Sequence, residues 1–462
     1  MSQKPMLKLL KWLDNSYKYI VAAIILAIPL YPKFPSVRVP GTYVSVRLED
    51  FLLLAVVFFW LVLNASKLKK FAKDKIAMAI AIFLLVGLVS LISAIFITQS
   101  VIPHLGLLHW LRRIEYLALF FVGLTAIRDK KTLDFYLKLL GITIIAAFVY
   151  GLGQKYLTWP VIITQNLEYS KGIALRWIPG SHINSTFAGH YDLATYLVLL
   201  LPIFVSLLFV VRRIRSRVFL LVVVLSGLWL LINAISRISI VSYMVGVTLS
   251  LFLLKRYKAI PLVIVLSLVF FSFSSDLLSR YVRIIDVGRR QIDRIFYNFP
   301  STAAYAQSEE MVSQRRIKEV ILTPTPVPVF EDRSTSIRLN VEWPRALRAL
   351  AKNPLLGTGY SSITLATDND YLRLLGETGI LGFFAFFLIF ARVAKHFKRA
   401  FGIIRKDVNR VSSAFIAGVI GALPGLFVNA IFIDIFEASK FATIFWLVIG
   451  FSVAVIKLRS NE

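Results

Sequence analysis

Apolar residues run through the chain in blocks of roughly 20, each closed by charge or by Gly and Pro. That is the length needed to cross ~30 Å of hydrocarbon at ~1.5 Å per helical residue. Spanning helices are therefore predicted over 19–31, 46–64, 76–98, 104–127, 135–157, 191–211, 218–235, 238–254, 259–275, 371–391, 411–433 and 440–457. Two intervening segments, 158–190 and 276–370, are too long to be connectors, and loops of that length usually carry function. In the longer one, Asp276–Arg294 places Leu277, Leu278, Tyr281, Ile284, Ile285 and Ile292 at helical spacing, as an interfacial helix would. Thr323–Pro328 is a proline-rich break. Ser334–Leu350 returns to helical spacing, with Pro344 at a kink or in the first turn. The expected fold is an all-α polytopic membrane protein of about twelve spans: a bundle over 1–275, an extracytoplasmic loop domain over 276–370 and C-terminal helices over 371–462.

Charge orients this bundle. Lys and Arg cluster at 4–18, 67–75, 128–131, 212–217, 255–258, 392–406 and 457–459. With twelve spans, all seven clusters fall on one side, and basic loops stay cytoplasmic. Both termini are thus expected on the cytoplasmic side of an inner membrane. The formal net charge of +28 is then topological, and no nucleic-acid partner is implied. Hydrophobic residues make up 58% of the chain, with a mean hydropathy of +0.74, above what soluble domains carry. The absence of cysteine excludes disulfides, thiolate metal sites and a cysteine nucleophile. The basic start, MSQKPMLKLLKWLDNSYKYI, has no cleavage site after it and reads as a cytoplasmic lead-in. No GxxxxGK[ST] or GxSxG motif occurs.

Charges inside or at the ends of spans are the first candidates for chemistry, because burying them unpaired is costly. Arg237 sits at the boundary of two spans and reads either as a snorkelling side chain or as an anion clamp. Arg112 and Glu115 have the spacing of an ion pair on one helix face, and Glu49 or Asp50 that of a cap on the second span. His182 and His190 lie in the polar segment RWIPGSHINSTFAGHYDLATY, which begins at Arg176; His190 stands where the chain re-enters the membrane. The most informative stretch is NPLLGTGYSSITLATDNDYLRLLGETGILG. Pro354, Gly357 and Gly359 predict a turn; Asp368 or Asn369 caps the next helix, whose amide-rich end favours an anion. Gly379 and Gly382 within that helix allow close helix contact.

This stretch resembles the O-antigen ligase/polymerase superfamily of bacterial membrane glycosyltransferases. The family's "PllGxG" turn is Pro354-Leu-Leu-Gly357-Thr-Gly359, its polar pair is Asp368-Asn369, and its "yLxxLxExGxxG" runs from Tyr371 through Glu377, Gly379 and Gly382. Ser236-Arg237 is similar to the family's "sR", Arg338 with Trp343 to its "Rxxxxw", and Ser185–His190 to its "sTF" segment. The resemblance covers roughly residues 170–440. It implies a metal-independent, GT-C-like glycosyltransferase without cofactor, acting on an undecaprenyl-diphosphate-linked glycan at the periplasmic face. A flippase and a chain-length regulator are the implied pathway partners. By the resemblance, Arg237 and Arg338 hold the diphosphate; Asn369 and Arg176 are further expected substrate contacts. Asp368 is the expected base for the acceptor hydroxyl; His190, or no strong base at all, is the alternative. Ligases carry histidine where this chain has Asp368, which shifts the expectation toward polymerisation. Ligation or another glycan transfer is the alternative, and a non-enzymatic transporter the third reading.

Overall fold

A computed structural model describes residues 3–32, 35–38, 45–161, 176–272, 337–363, 366–408 and 410–460. In chain order the helices are α1 (Gln3–Leu30), α2 (Leu48–Asn64), α3 (Leu68–Ala72), α4 (Lys75–Phe96), α5 (Pro103–Ala126), α6 (Lys130–Tyr156), α7 (His190–Leu208), α8 (Ile214–Asn233), α9 (Arg237–Leu253), α10 (Ala259–Ser272), α11 (Trp343–Lys352), α12 (Asp370–Lys406), α13 (Val411–Asn429) and α14 (Ser439–Ser460). A short antiparallel ribbon, β1 (Pro35–Arg38) with β2 (Ser45–Arg47), links α1 to α2. Every predicted span falls on a helix. Among the described residues eight helices are long and apolar enough to cross a membrane; α9, α10 and the apolar part of α1 are shorter. α5 carries Arg112, Arg113 and Glu115 in its middle. The protein is a multi-pass membrane protein, and helices make up most of its described residues. Asp276–Arg294, Thr323–Pro328 and most of the loop domain lie outside the described residues.

Burial sorts the helices. α7 and α14 are enclosed on nearly all sides, whereas α2 leaves Phe51, Leu54, Phe58 and Leu61 exposed. Where lipid is the solvent, an apolar outer face is the expected one, and helices associate through close packing of small residues. α9 and α13 do so: a Cβ on Gly425 would stand 2.2 Å from the Ser242 carbonyl oxygen. α5 and α14 meet in the same way at Gly123 and Gly450.

Lys457 at the end of α14 pairs with Asp74 before α4 at 3.1 Å, which brings the 457–459 and 67–75 basic clusters to one end of the bundle. The opposite end gathers the α1–α2, α6–α7, α8–α9 and α13–α14 connections and the start of α12. There the fully buried Lys440 donates to the carbonyls of Pro29 (3.2 Å), Tyr31 (2.7 Å) and Thr186 (2.7 Å). One ammonium thereby ties α1, the segment before α7, and α14.

The PLLGTG turn has a structural purpose that spacing alone does not reveal. α12 is interrupted at Gly379, with φ 67° and ψ −172°, a conformation open essentially only to glycine. The interruption frees backbone groups that must find partners. Thr358 and Gly359 donate to the carbonyls of Gly376 (2.9 Å) and Glu377 (2.8 Å). Ile380 and Leu381 donate to those of Pro354 (2.9 Å) and Leu355 (3.2 Å). Ser90 of α4 adds a bond to the Glu377 carbonyl at 2.9 Å. Gly379 was expected to bring a neighbouring helix close; it instead breaks its own helix to receive the turn, and a Cβ on Gly382 would strike its own helix's Thr378. The helix predicted over Ser334–Leu350 is present from Ile337, as a π turn at Arg338–Glu342 followed by α11, with Pro344 in its first turn.

Candidate functional site at the start of helix α12

Asn369 is the N-cap of α12, its side-chain oxygen accepting from Leu372 N at 3.0 Å. Asp368, just outside the helix, takes a left-handed backbone with φ 49°, uncommon for a residue other than glycine. The amides on either side are held by one carboxylate: Asp434 accepts from Thr367 N (2.8 Å) and Asn369 N (2.9 Å). The anion favoured at this helix end is therefore supplied by the chain itself. In return, Asp370 accepts from Ile435 N at 2.7 Å and Phe436 N at 3.3 Å.

So presented, Asp368 meets Arg338 of the π turn. Oδ2 accepts from Nε at 3.1 Å and from Nη2 at 2.7 Å. Nη2 also donates to the Tyr191 hydroxyl at 3.3 Å, and the guanidinium lies 6.0 Å from the Tyr191 ring centre. The Tyr191 ring leans on His190, which stacks on His182, each at 4.0 Å between centres. Burial pushes the Asp368 carboxyl above its ordinary range; Arg338 opposes this and Asp434 adds to it. Glu342, on the same π turn, is pushed up to about 7, first by burial and then by the charge of Asp368.

Of the residues singled out in the sequence, the structure brings Asp368, Arg338 and, through Tyr191, His190 together. Asn369 is adjacent, its side-chain oxygen engaged in capping. Arg237 opens α9 at the same end of the bundle. A polar chain runs from its neighbour Ser236 to Ser239 (2.7 Å), Asn429 (3.0 Å) and Thr195 (2.9 Å), and from Thr195 to the Tyr191 carbonyl (2.8 Å). Arg176 is exposed at the start of the described segment that leads to α7. Arg112 pairs with Asp50 at 3.4 Å, not with Glu115, because the start of α2, which carries Asp50, packs against α5. Asp50 does cap α2, accepting from Arg47 N at 2.9 Å.

Sequence reasoning missed Tyr191, Asp434 and Arg373. Arg373, one turn into α12, pairs with Asp434 (3.1 Å), Glu377 (3.5 Å) and Glu437 (3.5 Å). Arg113 of α5 also binds Glu437 and lies 5.6 Å from the Tyr360 ring centre. The i, i+4 spacing of Arg373 and Glu377, and a lone acid inside NAIFIDIF, were the available signals.

No curated protein matches the chain. Residues 222–387 match a family model described as O-Antigen ligase. The match runs from α8 into α12 and takes in Arg237, Arg338, Asp368, Asn369 and the Gly379 interruption; His190, Tyr191 and Asp434 stand outside it. Over residues 222–387 the chain is thus similar to the O-antigen ligase family.

Proposed function

We propose that the protein is a GT-C-like membrane glycosyltransferase that polymerises undecaprenyl-diphosphate-linked surface polysaccharide at the outer face of the inner membrane. The observation that carries this reading is the Asp368–Arg338–Tyr191 assembly, two members of which lie within the family match. Glycan transfer requires an acceptor hydroxyl to attack the anomeric carbon while the bond to the lipid diphosphate breaks. The leaving diphosphate keeps the electron pair, and fixed positive charge stabilises it. The hydroxyl proton needs a base. Arg338 and Arg237 are suited to the first role, and Asp368, its basicity raised by burial, to the second. In the structure the Arg338 guanidinium is occupied by Asp368. An arriving diphosphate competes for it, and each transfer of Arg338 to the lipid releases the carboxylate for proton transfer. His190, beside Tyr191, is the other base within reach of this region.

The description of the matched family favours a second reading, ligation, in which finished chains pass to lipid A-core or another acceptor. Glycan analysis of cells carrying Asp368→Ala, Arg237→Ala or a deletion separates the two. Loss of long chains with persistence of lipid-linked single repeats is the result expected of a polymerase. Accumulation of long chains on undecaprenyl diphosphate identifies a ligase. No change in either pool removes both readings and brings transport forward.

A further inference from the structure

Asp434 lies in the short connection between α13 and α14, far from Asp368 in the sequence. Its two oxygens grip the backbone on both sides of Asp368, at Thr367 N and Asn369 N. Asp370 grips the opposite loop at Ile435 N and Phe436 N, and its own amide donates to the Ala430 carbonyl at 3.0 Å. Each acidic side chain thus holds the loop that carries the other. Between the two amides held by Asp434 sits Asp368, with its left-handed backbone. Such a conformation persists only where its surroundings over-determine it. The side chains of Asp434 and Arg338 are both about nine-tenths enclosed, so the grip and its target are shielded from water.

We propose that Asp434 is the positioning residue of the Asp368–Arg338 centre: it fixes the backbone that aims the Asp368 carboxylate at Arg338, and it places a fixed negative charge beside that carboxylate. The inference rests on the reading of Asp368 as the base. The charged and titratable groups around Asp368 are Arg338 and Glu342 from the π turn, Tyr191 of α7, bonded to Arg338, and Asp434 from the α13–α14 connection, which itself pairs with Arg373 of α12 at 3.1 Å. Of these, only Asp434 acts on the Asp368 backbone.

The test compares purified wild-type protein, Asp434→Asn, Asp434→Glu and Asp368→Asn in liposomes supplied with undecaprenyl-diphosphate-linked single repeats. Asparagine keeps the shape but sets an N–H against one of the two amides and removes the charge. Turnover of Asp434→Asn is expected to fall about tenfold to a hundredfold, the scale of a misplaced catalytic group. KM for the lipid-linked repeat should change less than about twofold, because Asp434 holds backbone rather than substrate. The acid limb of its pH profile should move to lower pH, because a neighbouring negative charge has gone. Asp434→Glu keeps the charge and disturbs the fit, so its turnover should fall with the acid limb unmoved. Hydrogen exchange gives a readout independent of glycan transfer: the amides of Thr367 and Asn369 should exchange at least about tenfold faster in Asp434→Asn and keep their protection in Asp368→Asn. Wild-type turnover in Asp434→Asn with those amides still protected overturns the proposal. Wild-type turnover in Asp368→Asn instead overturns Asp368 as base, while the exchange data still decide whether Asp434 sets the Asp368 backbone.

Discussion

Arg338 spends two nitrogens on a single oxygen of Asp368 and a further contact on Tyr191, a geometry only a guanidinium provides. Lysine in its place keeps the charge but offers one compact donor group. Arg338→Lys is therefore expected to lower turnover by about a hundredfold, with Arg338→Ala lower still. An in-vitro transfer assay checks this, and a lysine variant as fast as wild type would remove Arg338 from the proposed diphosphate site. Glu342 leads to a prediction about pH. Its carboxyl is raised from an ordinary 4.5 to about 7 in the folded protein. For an acid shifted upward on folding, ionisation is harder in the folded state. The associated stability is present below the ordinary value and is lost as pH rises through about 7. Glu342→Gln never ionises and escapes this loss. In detergent it should be more stable than wild type at pH 8, by about 1 kcal/mol once solvent screening is allowed for. The difference should close as pH falls toward the ordinary carboxylate value, which melting curves at several pH values can follow.

At the scale of elements, the interruption of α12 and the turn that fills it form one unit, and Gly379 is where it is most sensitive. A Cβ there would lie 2.3 Å from the Leu355 carbonyl oxygen, on a backbone that suits only glycine. Gly379→Ala is expected to cost about 3 kcal/mol or more, and to appear as loss of folded protein. Gly402, in the helical end of the same element, has open space where a methyl would stand, with nothing within 4 Å, and Gly402→Ala should stabilise by about 0.5–1 kcal/mol. A thermal shift of opposite sign for the two variants is the check. The contrast also shows what the sequence could convey. Proline and two glycines announce the turn at Pro354–Gly359, because their backbone limits are local. Whether Gly379 packs a helix or breaks one depends on a segment some twenty residues upstream that fills the gap. Arg112 with Glu115 was the natural local pairing, yet Asp50, in a helix packed against α5, takes that arginine. The Asp368–Arg338 pair was legible only through the family resemblance, and Asp434 only as an acid in apolar surroundings, since both partnerships are tertiary. The apolar helices were legible without such help, because lipid demands long apolar runs whatever they pack against.

For the whole molecule, the two ends differ in the kind of charge they hold. One carries scattered, exposed lysines and arginines, such as Lys69 and Arg213; the other carries enclosed ion pairs around Arg338, Asp368 and Arg373. Membrane insertion retains short basic loops in the cytoplasm, so the end with Asp368 is predicted to face outward. The acceptor and the lipid-linked glycan would then be met at the outer face. The chain contains no cysteine, so it is already the background that a labelling experiment needs. Single cysteines at Lys69, Arg213 and Arg348, all exposed positions, report on the two ends. In intact spheroplasts an impermeant maleimide is expected to label Arg348→Cys on α11 and to leave Lys69→Cys and Arg213→Cys unlabelled until the membrane is opened. Labelling of Lys69→Cys or Arg213→Cys from outside would invert the bundle. It would place the Arg338–Asp368 pair in the cytoplasm, where a role in extracytoplasmic polymerisation could not be sustained.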